Sequence, residues 1–335
     1  MEHRDTMVIE DSMRFFQKII ISMAAPWAFG RELESDSVLF DSICTLSTST
    51  MQNAYWFYLF PKSVHSFVKP FLSNTRYHRK VMQDHLVPII RQRRAKMAEA
   101  AAQGKSHALE MNILQRQIEC VKPDGAQYSE EEIVEGLMLI LLGVSHNTPL
   151  NMAMIFYWLL ARPDLKERLE LEIEEVLGNG PITQESLDSM EFLNNFLYET
   201  LRQGQDMLAI RKKALADFTF ANGYKIPEGR MIITTNWQLN MGLDAGSPRA
   251  EIVDPSMIEK KSLTTPAKDF IIFGMGRNLC PGRFAAVQQM KMVLILLLQR
   301  YEIGTVSGET PQPVHYGQGF VAEPCNDPIF LKRKK

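Results

Sequence analysis

The segment that decides the fold lies near the carboxyl end of the chain and reads Phe273-Gly274-Met275-Gly276-Arg277-Asn278-Leu279-Cys280-Pro281-Gly282-Arg283. The two glycines before the cysteine permit a tight loop without side chains, which can lie against a flat ligand. Proline and then a strongly apolar helical stretch follow Cys280, so we expect this cysteine to stand near a helix amino terminus. Unpaired backbone N–H groups and the helix dipole favour a thiolate at such a place.

A thiolate on a glycine loop, with Phe273 covering its proximal side, is suited to axial ligation of haem iron. The alternative is a buried structural cysteine beside a glycine turn. Cys44, Cys120 and Cys325 lie in isolated contexts, and the four cysteines form no Cys-x-x-Cys pair. Their sparse spacing excludes a zinc site and a secreted disulfide framework, and it favours a reducing compartment.

The segment resembles the signature of the cytochrome P450 superfamily, Phe-x-x-Gly-x-x-x-Cys-x-Gly, through Phe273, Gly276, Cys280 and Gly282. The resemblance assigns these residues to cofactor binding and implies haem b, with Cys280 as the axial ligand to the metal. Asn278 stands where many members place a basic residue near a haem propionate, so one contact of the usual cofactor site is altered.

A second family element lies upstream. Glu199 and Arg202 are three residues apart, so on a helix they share a face and can bond to each other. They resemble the Glu-x-x-Arg pair of the family, which implies a structural role behind the haem. Arg211 resembles the arginine that begins the following strand and lies beside a propionate. Met257 replaces the arginine that usually completes this network.

A third element is an apolar helical stretch over residues 132–160, which is interrupted by Val144-Ser145-His146-Asn147-Thr148-Pro149. Family members carry a small residue, glycine, any residue, an acid and then threonine here, and His146 falls at the variable position. The resemblance therefore implies that Thr148 and Asn147 are catalytic and organise the water that delivers protons to oxygen. Ser145 replaces the glycine and Asn147 the acid. An Asn-Thr pair followed by proline is similar to the branch with prostacyclin synthase, sterol hydroxylases and related fungal enzymes. A structural kink with a back-bonded Thr148 is the alternative.

Local patterns predict a mostly helical chain. The pattern is helical over residues 11–103, with breaks at Pro26, Gly30, Pro61 and Pro70. The basic residues of 76–105 indicate a solvated helix face. Ser129 and Glu132 predict a capping box. Further helices are expected over 165–177, 184–204 and from Cys280 to about 299, with short strands in 208–236.

Composition bounds the class of protein. The 335 residues are 45% hydrophobic and 23% charged, which is typical of a soluble globular protein with a sizeable core. The charges of the 37 basic and 39 acidic residues nearly cancel, so the chain has no overall electrostatic field that would attract nucleic acid. We expect a mainly α fold with a small β portion, the cytochrome P450 fold, as a single catalytic domain over residues 1–335 whose amino-terminal third is missing.

The resemblance implies a monooxygenase that inserts one atom of O2 into a hydrophobic small molecule, such as a secondary metabolite, terpenoid or steroid-like compound. Electrons would come from NADPH through cytochrome P450 reductase. Two alternatives stay open: an isomerase of the same fold that rearranges a peroxide, and a non-functional truncated fragment that retains haem poorly. Family members sit at the cytosolic face of the endoplasmic reticulum membrane; without the amino-terminal anchor, the cytoplasm is expected.

Overall fold

The computed structural model describes residues 6–31, 36–65, 67–68, 74–107, 109–204, 209–235, 239–240, 255, 261–267, 270–317 and 321–334. The chain divides into two compact units. We call Arg14–Pro149 the helical unit, and Met1–Met13 together with Leu150–Lys335 the mixed unit.

Helices make up most of the described residues. Their bounds are α1 (Ser12–Phe29), α2 (Ser37–Leu59), α3 (Thr75–Ala102), α4 (Ile113–Glu119), α5 (Glu130–Ala161), α6 (Pro163–Leu177), α7 (Gln184–Ser189), α8 (Glu191–Gln203) and α9 (Arg283–Arg300).

The strands form small antiparallel sheets. Their bounds are β1 (Thr6–Ile9), β2 (Ala209–Lys213), β3 (Phe218–Thr219), β4 (Lys225–Ile226), β5 (Met231–Thr234), β6 (Tyr301–Thr305), β7 (Val314–Gly317), β8 (Val321–Pro324) and β9 (Ile329–Arg333). Strand β9 lies between β1 and β6, with Ile9 opposite Ile329 and Ile303 opposite Leu331. The pairs β2–β5, β3–β4 and β7–β8 are separate two-stranded ribbons. The expected mainly α fold with a small β portion is confirmed.

The core of the helical unit is formed where α1 to α5 bury their apolar faces together. Its fully buried members include Phe29, Leu39, Leu86, Leu114 and Leu137. The predicted break at Pro26 is wrong, since α1 continues through it. Burial of this apolar face outweighs the hydrogen bond that a proline removes. The predicted break at Gly30 is correct, because its φ of +92° ends the helix there.

The basic stretch of α3 is only partly a solvated face. Arg91 follows the expectation and forms an exposed pair with Glu130, with both contacts at 2.8 Å. Arg93 departs from it, because this side chain is 3% exposed. Its guanidinium donates to the Phe29 carbonyl at 2.6 Å and to Asn112 Oδ1 at 3.0 Å. The Arg93 guanidinium therefore supplies a hydrogen-bond donor to a carbonyl at the carboxyl end of α1, where carbonyls have no partner within the helix.

The amino terminus of α5 has the predicted capping box. The Glu132 amide donates to Ser129 Oγ at 3.2 Å, and the Ser129 amide donates to Glu132 Oε2 at 2.7 Å. The helix then runs for 32 residues and continues through Pro149. By length and composition alone it could cross a membrane, a test that core helices of soluble proteins also pass.

The mixed unit differs from the sequence expectation at two places. The helix predicted over 184–204 is two helices, because Met190 leaves helical geometry between α7 and α8 and is fully buried. Strand β1 was not expected; it is too short and too exposed to show a clear alternation, and its pairing with β9 spans almost the whole chain.

The break predicted at Pro70 lies outside the described residues.

Candidate functional site

The cysteine loop, residues 270–283, is closed by backbone hydrogen bonds. The Gly274 amide donates to the Ile271 carbonyl at 2.8 Å, and Gly276–Asn278 forms a single 3₁₀ turn. Gly274 and Gly276 adopt φ values of +79° and +64°, in the left-handed region that favours glycine. The Cys280 amide then donates to the Phe273 carbonyl at 2.8 Å. The phenylalanine and the cysteine of the signature are thus hydrogen-bonded to each other across the base of the loop.

Cys280 presents a free, half-buried thiol at the entrance to α9. Gly282 is the residue that caps this helix. A Cβ atom added to Gly282 would lie 3.9 Å from Cys280 Sγ, so backbone without a side chain stands beside the sulfur. The sulfur therefore lies beside the residue that caps α9.

Arg283 braces the loop, although the sequence analysis gave it no role. Its Nη1 donates to the Cys280 carbonyl at 2.8 Å, and its Nε donates to the Thr264 carbonyl at 3.0 Å. The guanidinium also lies over the Phe284 ring, 4.3 Å from its centroid. A cation in the first turn of a helix opposes the dipole, and that anomaly is the signal that could have revealed this role.

Glu199 and Arg202 bond to each other on α8. Arg202 Nε and Nη2 donate to the two carboxylate oxygens at 3.0 and 2.6 Å. Their side chains are 3% and 4% exposed. The charges are therefore almost fully removed from water, which requires a close partner for each of them.

Asn240 links this pair to the cysteine loop. Its carbonyl accepts from Arg202 Nη1 at 2.9 Å, and its side-chain Oδ1 accepts from the Ile271 amide at 3.2 Å. Next to this link, the rings of Tyr198 and Phe270 stack with centroids 4.0 Å apart. Helix α8 therefore holds the backbone at the start of the loop through one polar and one aromatic contact. Sequence reasoning missed Asn240, which lies 38 residues from Arg202.

The other residues that the resemblance assigns to cofactor binding are Asn278 and Arg211, and Met257 stands at the position of the usual arginine. Asn278 is exposed in the 3₁₀ turn. Arg211 lies in β2 opposite Ile233, and its side chain is outside the described part of the structure. Met257 lies outside the described residues.

The polar segment of α5, residues 144–149, belongs to the helical unit. Thr148 is 8% exposed and Ser145 is fully buried, whereas Asn147 is exposed on the adjoining face. The two residues predicted to be catalytic therefore differ in their surroundings: one hydroxyl is held in the interior and one amide is open to solvent.

The profile of the cytochrome P450 family matches residues 7–329, which includes the cysteine loop, the Glu199–Arg202 pair and the polar segment of α5. The chain belongs to the cytochrome P450 family.

Curated P450 relatives are similar over much of the chain. Cytochrome P450 monooxygenase 151 of Postia placenta is 27% identical over 304 residues, which cover 87% of this chain and 60% of the relative. Cytochrome P450 monooxygenase braC of Annulohypoxylon truncatum is 30% identical over 221 residues, which cover 61% of this chain and 44% of the relative. The chain thus spans about half the length of these relatives.

A solved P450 structure confirms the fold. The crystal structure of the cytochrome P450DA heme domain matches with a TM-score of 0.75 and 16% sequence identity, over 98% of this chain and 69% of that chain. The P450 family binds haem through a cysteine thiolate. The cysteine loop fits that group, because it presents one free, half-buried thiol beside a glycine backbone at a helix amino terminus.

Proposed function

We propose that this P450 chain acts as a haem-thiolate monooxygenase on a hydrophobic small molecule. The observation that carries the proposal is the closed cysteine loop, in which the Cys280 amide is bonded to the Phe273 carbonyl at 2.8 Å. Haem bound to the Cys280 thiolate would supply activation of O2, with electrons from NADPH through cytochrome P450 reductase. All other steps depend on how this chain's residues hold, orient and shield the reactants.

The signature residues of the cysteine loop would hold the haem iron. Cys280 would be the ligand, and Phe273, Gly276 and Gly282 would surround it. Arg283 fixes the Cys280 carbonyl through a hydrogen bond of 2.8 Å. The link through Asn240 prevents the start of the loop from moving away from α8. A cysteine fixed in this way would donate charge to bound haem in a constant orientation, because the loop around it is held by hydrogen bonds.

Thr148 and Asn147 would position the water that delivers protons to oxygen. The Thr148 hydroxyl can both donate and accept a hydrogen bond. Asn147 can orient a water molecule, but an amide cannot carry a proton as a carboxylate does. We therefore expect uncoupled turnover, with release of hydrogen peroxide, unless the substrate itself supplies a hydroxyl or a peroxide group.

The proposed substrate class is supported by general features of ligand sites. Both relatives above are fungal monooxygenases by name. Small-molecule sites are mostly apolar with a few polar groups. A terpenoid, a steroid-like compound or another secondary metabolite would suit such a site. We also propose the cytosolic face of the endoplasmic reticulum, or the cytoplasm, as the location of the protein.

A peroxide-rearranging isomerase is the second candidate, and Asn147 is the observation that favours it. An isomerisation needs no external electrons and no acid for proton delivery. The amide in place of the usual acid is therefore no handicap for that reaction.

One experiment separates the two candidates. The haem-loaded chain is incubated with a panel of apolar substrates, with NADPH, reductase and 18O2, and separately with organic hydroperoxides in the absence of reductant and oxygen. Incorporation of 18O that requires NADPH supports the monooxygenase. Rearrangement of a hydroperoxide without reductant, together with no 18O incorporation, overturns it in favour of the isomerase.

Asn147→Asp tests the role of the amide in the same assay. A carboxylate should lower hydrogen peroxide release for each molecule of product, because it can relay protons. Tight coupling in the unsubstituted chain would contradict this role.

A further inference from the structure

Pro149 leaves one carbonyl of α5 without its helical partner. In an α-helix the amide of residue i donates to the carbonyl of residue i−4, and proline has no amide hydrogen. Pro149 therefore cannot donate to the carbonyl of Ser145. Proline also disfavours helical geometry at the residue before it, which here is Thr148. The helix nevertheless runs unbroken from Glu130 to Ala161.

The Ser145 carbonyl is satisfied from two other helices of the helical unit. Gln17 Nε2, on α1, donates to it at 3.0 Å. Ser47 Oγ, on α2, lies 3.4 Å from it and 3.1 Å from the Cys44 carbonyl, so its one hydrogen is shared between two acceptors and Gln17 is the main donor. Gln17 Nε2 also donates to Ser47 Oγ at 3.1 Å, so its two hydrogens have two acceptors. Gln17 is 3% exposed, and Ser47 and Ser145 are fully buried.

We propose that Gln17, assisted by Ser47, is a positioning residue that replaces the hydrogen bond lost at Pro149 and thereby holds the Ser145–Thr148 turn of α5 in helical form. A buried carbonyl without a donor is costly, so the amide of Gln17 stabilises the state in which α5 passes through its proline. The part of the inference that concerns catalysis, namely that this bond sets the orientation of Thr148, rests on the proposed function.

An ordinary buried polar residue would contribute the same stability whichever residue stands at position 149. If its contribution lies in the bond to Ser145, that contribution should depend on the absence of an amide hydrogen at position 149. Pro149→Ala restores that hydrogen and lets the helix satisfy Ser145 by itself. The two substitutions should therefore be coupled, although they lie on different helices.

The test is a double-mutant cycle on the full chain, followed by urea unfolding. Gln17→Met keeps the length of the side chain and removes the donor. We expect it to increase the equilibrium constant for unfolding about tenfold when residue 149 is proline and less than about threefold when it is alanine. Equal increases in both backgrounds would overturn the proposal.

Gln115→Met is the matched control. Gln115 is a fully buried glutamine of the same unit whose Nε2 donates to Glu119 Oε1 at 2.8 Å, away from Ser145. Its effect should be the same in both backgrounds. If Gln17→Met does not fold in either background, Ser47→Ala goes through the same cycle: coupling to Pro149→Ala supports the proposal, and additivity overturns it.

The consequence for Thr148 is read separately, from the haem spectrum of the loaded chain. Gln17→Met should change the fraction of high-spin iron, and Pro149→Ala in the same chain should reverse the change. The unfolding cycle needs no haem, so a coupled cycle without any haem binding would contradict the proposed function and leave the bond to Ser145 established. An uncoupled cycle in a chain that binds haem would overturn the bond alone.

Discussion

Glu199 and Arg202 hold two opposite charges in the interior of the mixed unit, each with 3–4% of its side chain exposed. Removing such charges from water costs several kcal/mol, and the mutual bond and the neighbouring carbonyl of Asn240 help to offset that cost. The pair is therefore a point at which one substitution leaves an uncompensated charge.

Glu199→Ala should destabilise the chain by about 3–5 kcal/mol, because Arg202 would remain buried without its carboxylate. The free energy of unfolding in urea, or the soluble yield if the variant does not fold, measures this. Glu302→Ala is the control: its partner Lys332 lies 3.0 Å away on neighbouring strands, and both side chains are more than half exposed. Loss of that pair should cost less than about 1 kcal/mol. Similar effects of the two substitutions would show that Glu199 is not acting through a buried charge.

Asn240→Ala should cost about 1–3 kcal/mol, because the Ile271 amide would lose its acceptor in a buried position. The Asn240 carbonyl would still accept from Arg202, so the ion pair should survive. We expect a second effect, faster loss of bound haem, since the start of the cysteine loop would no longer be tied to α8. Unchanged haem dissociation in a destabilised variant would refute the link between Asn240 and the loop.

Residues whose roles depend on a short sequence motif could be predicted from the sequence. Cys280 and its glycines form one local turn, and Glu199 and Arg202 are three residues apart. Asn240, Arg283 and Gln17 could not be predicted in the same way. Their contacts depend on the fold, since Gln17 bonds to a carbonyl 128 residues away and Asn240 to an amide 31 residues away.

At the scale of elements, local signals located helix ends better than helix interiors. The capping box at Ser129 and the glycine at position 30 were correct, because caps and positive φ angles are set by neighbours in sequence. Pro26 and Pro149 lie inside helices. At such positions, packing and distant donors decide whether the helix continues, and neither is visible in a local pattern.

Helices α2 and α3 share a buried contact that includes a histidine. His78 on α3 is 2% exposed, and its Nδ1 lies 2.9 Å from Ser42 Oγ on α2. Burial lowers the pKa of His78 below the ordinary imidazole value of about 6.5, because the charged form is poorly solvated. As the pH falls below about 6.5, the unfolded chain binds a proton that the folded chain does not, so stability is lost.

His78→Gln should remove this part of the pH dependence. We expect the free energy of unfolding of the unsubstituted chain to fall more steeply below about pH 6.5 than that of the variant, by at most about 1.4 kcal/mol per pH unit. Urea unfolding between about pH 5 and 8 measures both slopes. Parallel curves for the unsubstituted chain and His78→Gln would contradict the account.

At the scale of the whole molecule, the cytochrome P450 fold and the cysteine loop support one central claim: Cys280 is the thiolate that would hold haem iron. The family match over residues 7–329 establishes the fold. The backbone bonds of the loop and its brace by Arg283 show why this cysteine, among four, is presented at a helix amino terminus.

The most direct measurement is the ferrous–carbon monoxide spectrum of the haem-loaded chain and of its cysteine variants. Cys325→Ala is the matched control, because Cys325 is also free and half-buried and belongs to the same unit. The account predicts that the thiolate-type spectrum is retained in Cys325→Ala and Cys120→Ala and is lost in Cys280→Ala. A thiolate-type spectrum that survives in Cys280→Ala, or that disappears in either of the other two variants, would contradict it.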